Sequence, residues 1–336
     1  MDTKNSIGRK IGTIVWRFLI TVLSTALVLV AACVGLICVF NYGPSASARN
    51  LFVTSVLETS ALKFAATWFL PAEEINTILA DNSLEVMDEV TNPDLVIINR
   101  DEIENQEGED IEVIEVNGLT YTGRMMIVKD PSRVKVGVCK WLGSADSYGE
   151  HVYDMVDRYG AVAGVNGGGF DDPNGHGKGA VPLGFVFSEG EYLWGPEDEE
   201  EILIGFDQND KLIVGSMTGK EAVELGIRDA LSYGPALIIN GDPADISGVS
   251  SGLNPRTAIG QREDGAVLLL VIDGRQANSL GALYSDLIEV MLEFGAVNAG
   301  NLDGGSSSLM VYQGEILSNK ANITGDRCIP TCVLVE

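Results

Sequence analysis

The sequence predicts an α+β domain with a mixed β-sheet, hairpins and packed helices, preceded by one N-terminal transmembrane helix. Three observations carry this. Short β-type runs outnumber helical ones after Ile111, hairpin turns alternate with helix-to-strand units, and one helix–Gly–strand–glycine-loop pattern occurs twice. The downstream copy runs from Leu283 through Phe294-Gly295-Ala296-Val297 to Asn301-Leu302-Asp303-Gly304-Gly305-Ser306-Ser307-Ser308. The upstream copy runs from Tyr148 through Tyr159-Gly160-Ala161-Val162 to Asn166-Gly167-Gly168-Gly169-Phe170-Asp171. Two matched loops carrying Asn and Asp suggest one pocket built from two related halves. Glycine there can leave backbone N–H groups facing an anion. Taken singly, each loop reads equally well as a tight turn.

The elements follow in order. Phe18 to Phe40 carries no charge and is long enough, at ~1.5 Å per residue, to cross a ~30 Å hydrocarbon core. A signal-peptide core of about 7–15 residues would be shorter, although Ser45-Ala46-Ser47-Ala48 resembles a cleavage site. Lys4, Arg9, Lys10 and Arg17 precede the span. They place residues 1–17 in the cytoplasm and everything after Tyr42 outside, on a single-pass cell-membrane protein. Residues 41–110 read as a helical, acidic stalk or a membrane-proximal hairpin. Arg49 to Leu70 is helix-compatible, Pro71 suits the first turn of a helix over Ala72 to Ala80, and the stretch from Asn92-Pro93-Asp94 to Gly108 is loop-like. Residues 111–336 form the predicted domain.

Within it, Ile111–Val116, Arg124–Val128 and Val134–Val138 read as strands. Ser147 is placed to cap a helix from Tyr148 to Tyr159, stopped by Gly160, and Ala161–Val165 is the following strand. Hairpins are expected at Ser188-Glu189-Gly190, Gln208-Asn209-Asp210 and Glu263-Asp264-Gly265. Ala236–Ile239, Val297–Leu302, Leu309–Tyr312, Glu315–Leu317 and Ile329–Leu334 complete the strands, and Leu283–Phe294 is an amphipathic helix.

Composition excludes several functions. A net charge of −26 repels a phosphate backbone, so nucleic acid is not an expected partner. His151 and His176 are the only histidines, which rules out a His-rich zinc site. Cys33 and Cys38 lie in the span as small apolar fillers. Cys328 and Cys332 on one strand stand too far apart to bridge each other, while Cys139 can pair with either. Asn322-Ile323-Thr324 is a glycosylation sequon.

Four polar clusters fall at strand ends, where ligands commonly bind. They are Asn166 to Asp171, Asn254-Pro255-Arg256-Thr257, Asp273-Gly274-Arg275-Gln276, and Asn301 to Ser308. In so acidic a chain, Arg256 and Arg275 stand out as phosphate or carboxylate ligands; salt bridges to nearby acids are the plainer alternative. Asp273 ends an aliphatic run and emerges from a buried strand, where it either functions or pairs with Arg275. Asp303 lies inside the glycine loop. Asp171 sits in Asp-Asp-Pro-Asn, which is also good turn chemistry. Asn166, Gly167, Gly168, Thr257, Gln276, Asn301, Gly304, Gly305, Ser306 and Ser307 are candidates to bind substrate or phosphate. His176, in Asn-Gly-His-Gly-Lys-Gly, is a candidate lid residue or a plain exposed loop histidine. No Gly-x-Ser-x-Gly elbow accompanies the serines, which weighs against a Ser–His triad. No cofactor is evident, although Asp171, Asp273 and Asp303 could hold Ca²⁺ through oxygens.

Four ordered blocks, Val165–Phe170, Asn254–Gly260, Val271–Gln276 and Gly295–Ser307, together resemble the phosphodiester glycosidase family. The resemblance covers Gly118 to Glu336, with one glycine fewer before the serines than the family pattern. Its animal member is a lysosomal N-acetylglucosamine-1-phosphodiester α-N-acetylglucosaminidase, and bacterial members are often exopolysaccharide-related. It implies hydrolysis of a sugar-1-phosphodiester at the anomeric carbon, here in cell-envelope or exopolysaccharide metabolism, with a glycosyl-phosphate or polysaccharide substrate. Asp303 or Asp273 would activate water or stabilise an oxocarbenium-like state, and Arg256 and Arg275 would stabilise the departing phosphate. Two other readings remain open: a non-catalytic glycan or glycosyl-phosphate binding protein, and a metal-dependent phosphodiesterase cutting P–O.

Overall fold

A computed structural model describes residues 2–59, 61–105, 109–319 and 325–336. The sequon at 322–324 lies outside the described residues. The chain runs α1 (Asp2–Tyr42), α2 (Ala46–Leu57), α3 (Phe64–Thr67), α4 (Ala72–Ala80), α5 (Arg100–Glu104), β1 (Ile111–Asn117), β2 (Thr122–Val128), β3 (Val134–Val138), α6 (Val152–Tyr159), β4 (Ala163–Asn166), β5 (Val186–Ser188), β6 (Glu191–Trp194), β7 (Glu200–Asp207) and β8 (Leu212–Thr218). It continues through α7 (Gly219–Glu224), β9 (Ile227–Ser232), β10 (Ala236–Ile239), β11 (Asp242–Pro243), β12 (Arg256–Arg262), β13 (Val267–Ile272), α8 (Tyr284–Glu293), β14 (Ala296–Leu302), β15 (Met310–Tyr312), β16 (Glu315–Ile316) and β17 (Thr331–Val335).

The α+β class is as predicted. The strands form three sheets, ordered β1-β2-β13-β12-β14-β10-β11, β16-β15-β4-β17-β3 and β6-β5-β9-β7-β8. Every described strand pair is antiparallel, where the sequence suggested a mixed sheet. Helices α6 and α8 each deliver the chain to a strand whose neighbours arrive from elsewhere, so neither makes a crossover between parallel partners. The inner faces of the sheets meet in one core that includes Met126, Val136, Val165, Ile204, Leu231, Ile259, Leu269 and Val333. Helices cover the outer faces. Leu287, Ile288 and Met291 of α8 pack on the first sheet, Val152, Met155 and Val156 of α6 on the second, and Ala222 of α7 on the third.

The two related halves are present. Gly160 caps α6 in the left-handed region at φ 69°, and Gly295 follows α8 at φ 85°. Helix α6 starts at Val152 rather than Tyr148, because Ser144 and Ser147 bond each other in a turn and Ser147 caps nothing. Strand β9, with the preceding α7, is an element the sequence pattern did not reveal. Its inward-facing Asp229 breaks the apolar alternation, yet it is fully buried. One carboxylate oxygen accepts from the Val136 and Glu189 amides, and the other meets Arg228 at 2.6 Å. Cys139, Cys328 and Cys332 are all free thiols, so Cys139 pairs with neither. Cys332 Sγ instead lies 3.7 Å from Met155 Sδ.

The segment read as a stalk or helical hairpin packs against the rest of the protein. Helices α2, α3 and α4 build a small core of Val53, Val56, Ala65, Ala66, Leu70, Ile75 and Ile78. Downstream, the Glu85 amide donates to Asp245 O, Thr91 bonds Val214, and the Ile97 amide donates to Glu263 O.

Candidate active site

The ends of β4, β12, β13 and β14 converge at one edge, and they carry the four polar clusters. Register alone sets Arg256 beside Ile272 and Thr257 beside Leu302. Asn166, fully buried at the end of β4, then ties the second sheet to the first. Its Nδ2 donates to Asp303 O at 2.5 Å, and its Oδ1 accepts from Thr257 Oγ1 at 2.7 Å and from the Leu309 amide at 3.1 Å. The Asp303 amide returns a bond to Gly167 O at 3.0 Å. The two glycine loops are thus stitched together, although their strands belong to different sheets.

Close approach explains the glycines. A Cβ on Gly167 would lie 2.6 Å from Thr331 Oγ1 and 2.7 Å from Thr331 O. Gly305 has φ +62°, and its Cβ would stand 3.1 Å from Arg275 Nη2, so this turn places backbone directly against the guanidinium. The expectation that these loops aim free N–H groups at an anion is corrected by the bonding. Gly167 N donates to Thr331 O, Gly168 N to Thr331 Oγ1, Gly304 N to Asp303 Oδ1 and Gly305 N to Pro255 O. These four loop amides are therefore already engaged within the protein.

Asp303 is the carboxylate at the junction. Burial pushes its pKa up to about 6, against the Gly304 amide and the Ser307 and Tyr233 hydroxyls, which bond the charged form, and against the field of Arg327. Tyr233, between β9 and β10, is in turn raised well above the usual phenol range by the Asp303 charge and by burial. Arg256 lies alongside, 5% exposed, with its guanidinium 4.3 Å over the Tyr284 ring. It donates from Nε to Ala282 O at 3.2 Å, and from Nη2 to Gly252 O and Glu58 Oε2, both at 2.7 Å. Arg275, at φ +59°, donates to Asn254 Oδ1 at 3.2 Å.

The other candidates fall as follows. Asp273 is buried, and both its oxygens accept from Asn319, at 2.7 Å from the amide and 2.8 Å from Nδ2. Its carboxylate is a latch for the strand-end chain, and no Arg275 bond to it is described. Asp273→Asn sets two amide NH₂ groups face to face; it is expected to cost about 1.5–3 kcal/mol in urea unfolding while turnover at low temperature largely persists. Gln276 pairs with Ser279 in a tight turn below this latch. Asn301 Nδ2 donates to Gly234 O at 2.7 Å, while its Oδ1 and Ser308 Oγ are buried with no partner among the described residues. Ser306 is half-buried. Asp171 and His176 are exposed. The loop carrying them is held by Asp172, which takes two bonds from Arg327 at 2.8 and 3.1 Å and one from the Gly177 amide. Burial works to raise the Asp172 carboxyl, but Arg327 and that amide hold it below the usual range. Among the described residues no three His, Cys, Asp or Glu gather at metal-binding spacing, so Asp171, Asp273 and Asp303 do not assemble a Ca²⁺ donor set.

Sequence reasoning missed Glu58, Tyr233, Tyr284 and Arg327. The scarcity of basic residues that singled out Arg256 and Arg275 applies equally to Arg327. Glu58 left no signal, because it sits in a largely apolar helical stretch far from the loops.

A sequence model described as phosphodiester glycosidase matches residues 159–336. The chain belongs to the phosphodiester glycosidase family. A curated relative is the SPbeta prophage-derived uncharacterized protein YomE of Bacillus subtilis (strain 168), 28% identical over 177 residues; the match spans 51% of this chain and 27% of that protein. The chain thus spans about a quarter of that relative's length. Among solved structures, the fold is similar to the zebrafish N-acetylglucosamine-1-phosphodiester alpha-N-acetylglucosaminidase catalytic domain, auto-inhibited by its pro-peptide. The TM-score is 0.57 and the identity 20%, over 69% of this chain and 85% of that one. A putative exported protein from Burkholderia pseudomallei K96243 matches at TM-score 0.49 and 18% identity, over 64% and 74% of the two chains. The family is one of glycosidase-type hydrolases, and the three-sheet fold agrees with it.

Proposed function

We propose that this protein is a membrane-anchored, extracytoplasmic hydrolase that cleaves a sugar-1-phosphodiester at the anomeric carbon, in cell-envelope or exopolysaccharide metabolism. The observation that carries the reading is Asp303, a half-buried carboxyl raised to about 6 at the seam of the two glycine loops, with Arg275 against the Gly305 turn of the same loop and the Arg256 backbone facing Gly304. The arginines bind the diester phosphate. As the C1–O bond breaks, its electron pair leaves with the phosphate, and a phosphate monoester departs without the strong acid an alkoxide would need. Asp303, ionised, takes the proton of the water that adds to C1. Turnover of a GlcNAc-1-phosphodiester in ¹⁸O-water tests this. Label in the released sugar supports C–O cleavage, label in the phosphate moves the reaction to P–O, and no turnover by a protein that still binds the diester leaves a glycan-binding role.

Glu58 favours an occluded resting state. Its carboxylate, at the C-cap of α2, holds Arg256 Nη2, Asn254 Nδ2 and the Gly252 amide, at 2.7, 2.8 and 2.8 Å. These donors suit a phosphate oxygen equally well. The zebrafish domain, whose pro-peptide auto-inhibits it, supports reading α2 as an internal plug. The membrane anchor is α1. The most apolar 18-residue stretch within Gly12–Tyr42 has mean hydropathy 2.7, and none of it is buried. A bare apolar surface of that length calls for hydrocarbon.

A further inference from the structure

We infer that the α3 turn is a foot seated in the bilayer interface beside α1, which fixes the height of the candidate site above the membrane. The inference rests on reading α1 as a membrane span, and the experiment below separates the two. Trp68 is 80% exposed, Leu62 45% and Phe64 39%, and the two rings are in contact at 5.2 Å between centroids. Water is a poor environment for such a patch, and nothing else in the described residues covers it.

Its position says what does. Asn41 Nδ2, at the end of α1, donates to Ala65 O at 2.9 Å in a buried contact, and the Tyr42 hydroxyl donates to Phe69 O. Phe40 stacks on Phe52 at 4.8 Å. The foot is therefore pinned to the C-terminal end of the apolar helix, at the depth where aromatic rings collect in membranes. Trp16 marks the opposite end of the apolar stretch of the same helix. The turn suits this depth in two further ways. The amides of Ala65, Ala66, Thr67 and Trp68 bond the carbonyls of Leu62, Lys63 and Phe64, so few backbone groups are left to desolvate. Lys63, the one charged residue of 61–70, can reach outward to headgroups.

A consequence for the site follows. Helix α2 carries Phe52 against the span and Glu58 against Arg256, and six residues of helix rise about 9 Å. The phosphate-binding arginine is thereby held close above the lipid surface.

The test uses the full chain in vesicles of phosphatidylcholine and phosphatidylglycerol, with acyl chains brominated near the headgroup end. Subtracting the emission of Trp68→Phe from that of the wild type isolates Trp68; Trp16→Phe isolates Trp16 in the same way. Bromolipid is expected to quench the Trp68 component by about twofold, as for a ring ~5–10 Å into the boundary. An unquenched Trp68 beside a quenched Trp16 overturns the foot and leaves the span intact. If neither is quenched, both readings fall.

Discussion

Asp303→Asn is expected to lower kcat/KM by about 10²–10⁴, the range associated with a positioned acid–base group, in a protein that remains folded. Asn is nearly isosteric and keeps an oxygen for the Gly304 amide. With wild type, kcat/KM should rise as pH increases through about 6 and then level, because the ionised form accepts the proton from water. An undiminished Asn variant, or a wild-type rate that falls above pH 6, would remove Asp303 from this role. The same substitution is expected to stabilise the fold. A carboxyl whose native pKa is raised to about 6 from 3.8 keeps its proton where the unfolded chain has released it. Wild-type stability should fall between about pH 4 and 6 for this reason, and the cost at pH 7 is on the order of 3 kcal/mol. Urea unfolding of the two proteins should agree at pH 4 and separate in favour of Asn at pH 7. A site group that lowers stability while it works is a familiar trade-off.

Glu58→Ala is expected to have the second large effect. Arg256 has a 6% exposed side chain, so removing its carboxylate partner leaves a buried charge short of an acceptor. Breaking a fully buried pair costs about 3–5 kcal/mol; Glu58, with a side chain 32% exposed, lies below that range. The variant should therefore melt lower than wild type without added anion. Inorganic phosphate should then restore it, because the vacated donors at Gly252, Asn254 and Arg256 match a phosphate oxygen. Phosphate at a hundredfold its Kd adds about 2.7 kcal/mol. Wild type, with Glu58 in place, should respond far less. Diester turnover by the variant should rise if α2 is a plug. A variant that melts lower and ignores phosphate would make the Glu58–Arg256 pair purely structural.

Much of the architecture was legible because local rules govern it. The two helix–Gly–strand units showed in the 3.6-residue periodicity of α8 and in glycines that tolerate positive φ, as at Gly160 and Gly295. The helix over Ala72–Ala80 followed from Pro71. Strand β9 escaped because a buried Asp229 paired with Arg228 imitates a solvated charge pair, and only its partners from distant strands reveal otherwise. Asp273 looked as eligible as Asp303 because both follow apolar strands. Asn319 settles the difference by occupying both oxygens of one, and Asn319 lies outside every motif.

By itself, the chain's order of residues determined most of the strands and helices, one long apolar helix, and the four polar loops at strand ends. Those features depend on neighbours a few residues apart. Only the folded molecule decided that Asn166 joins the loops, that Tyr233 and Arg327 set the environment of Asp303, and that Glu58 occupies Arg256. Each of these is a contact between groups far apart in sequence, and charge and burial at such contacts exist only once the sheets have closed.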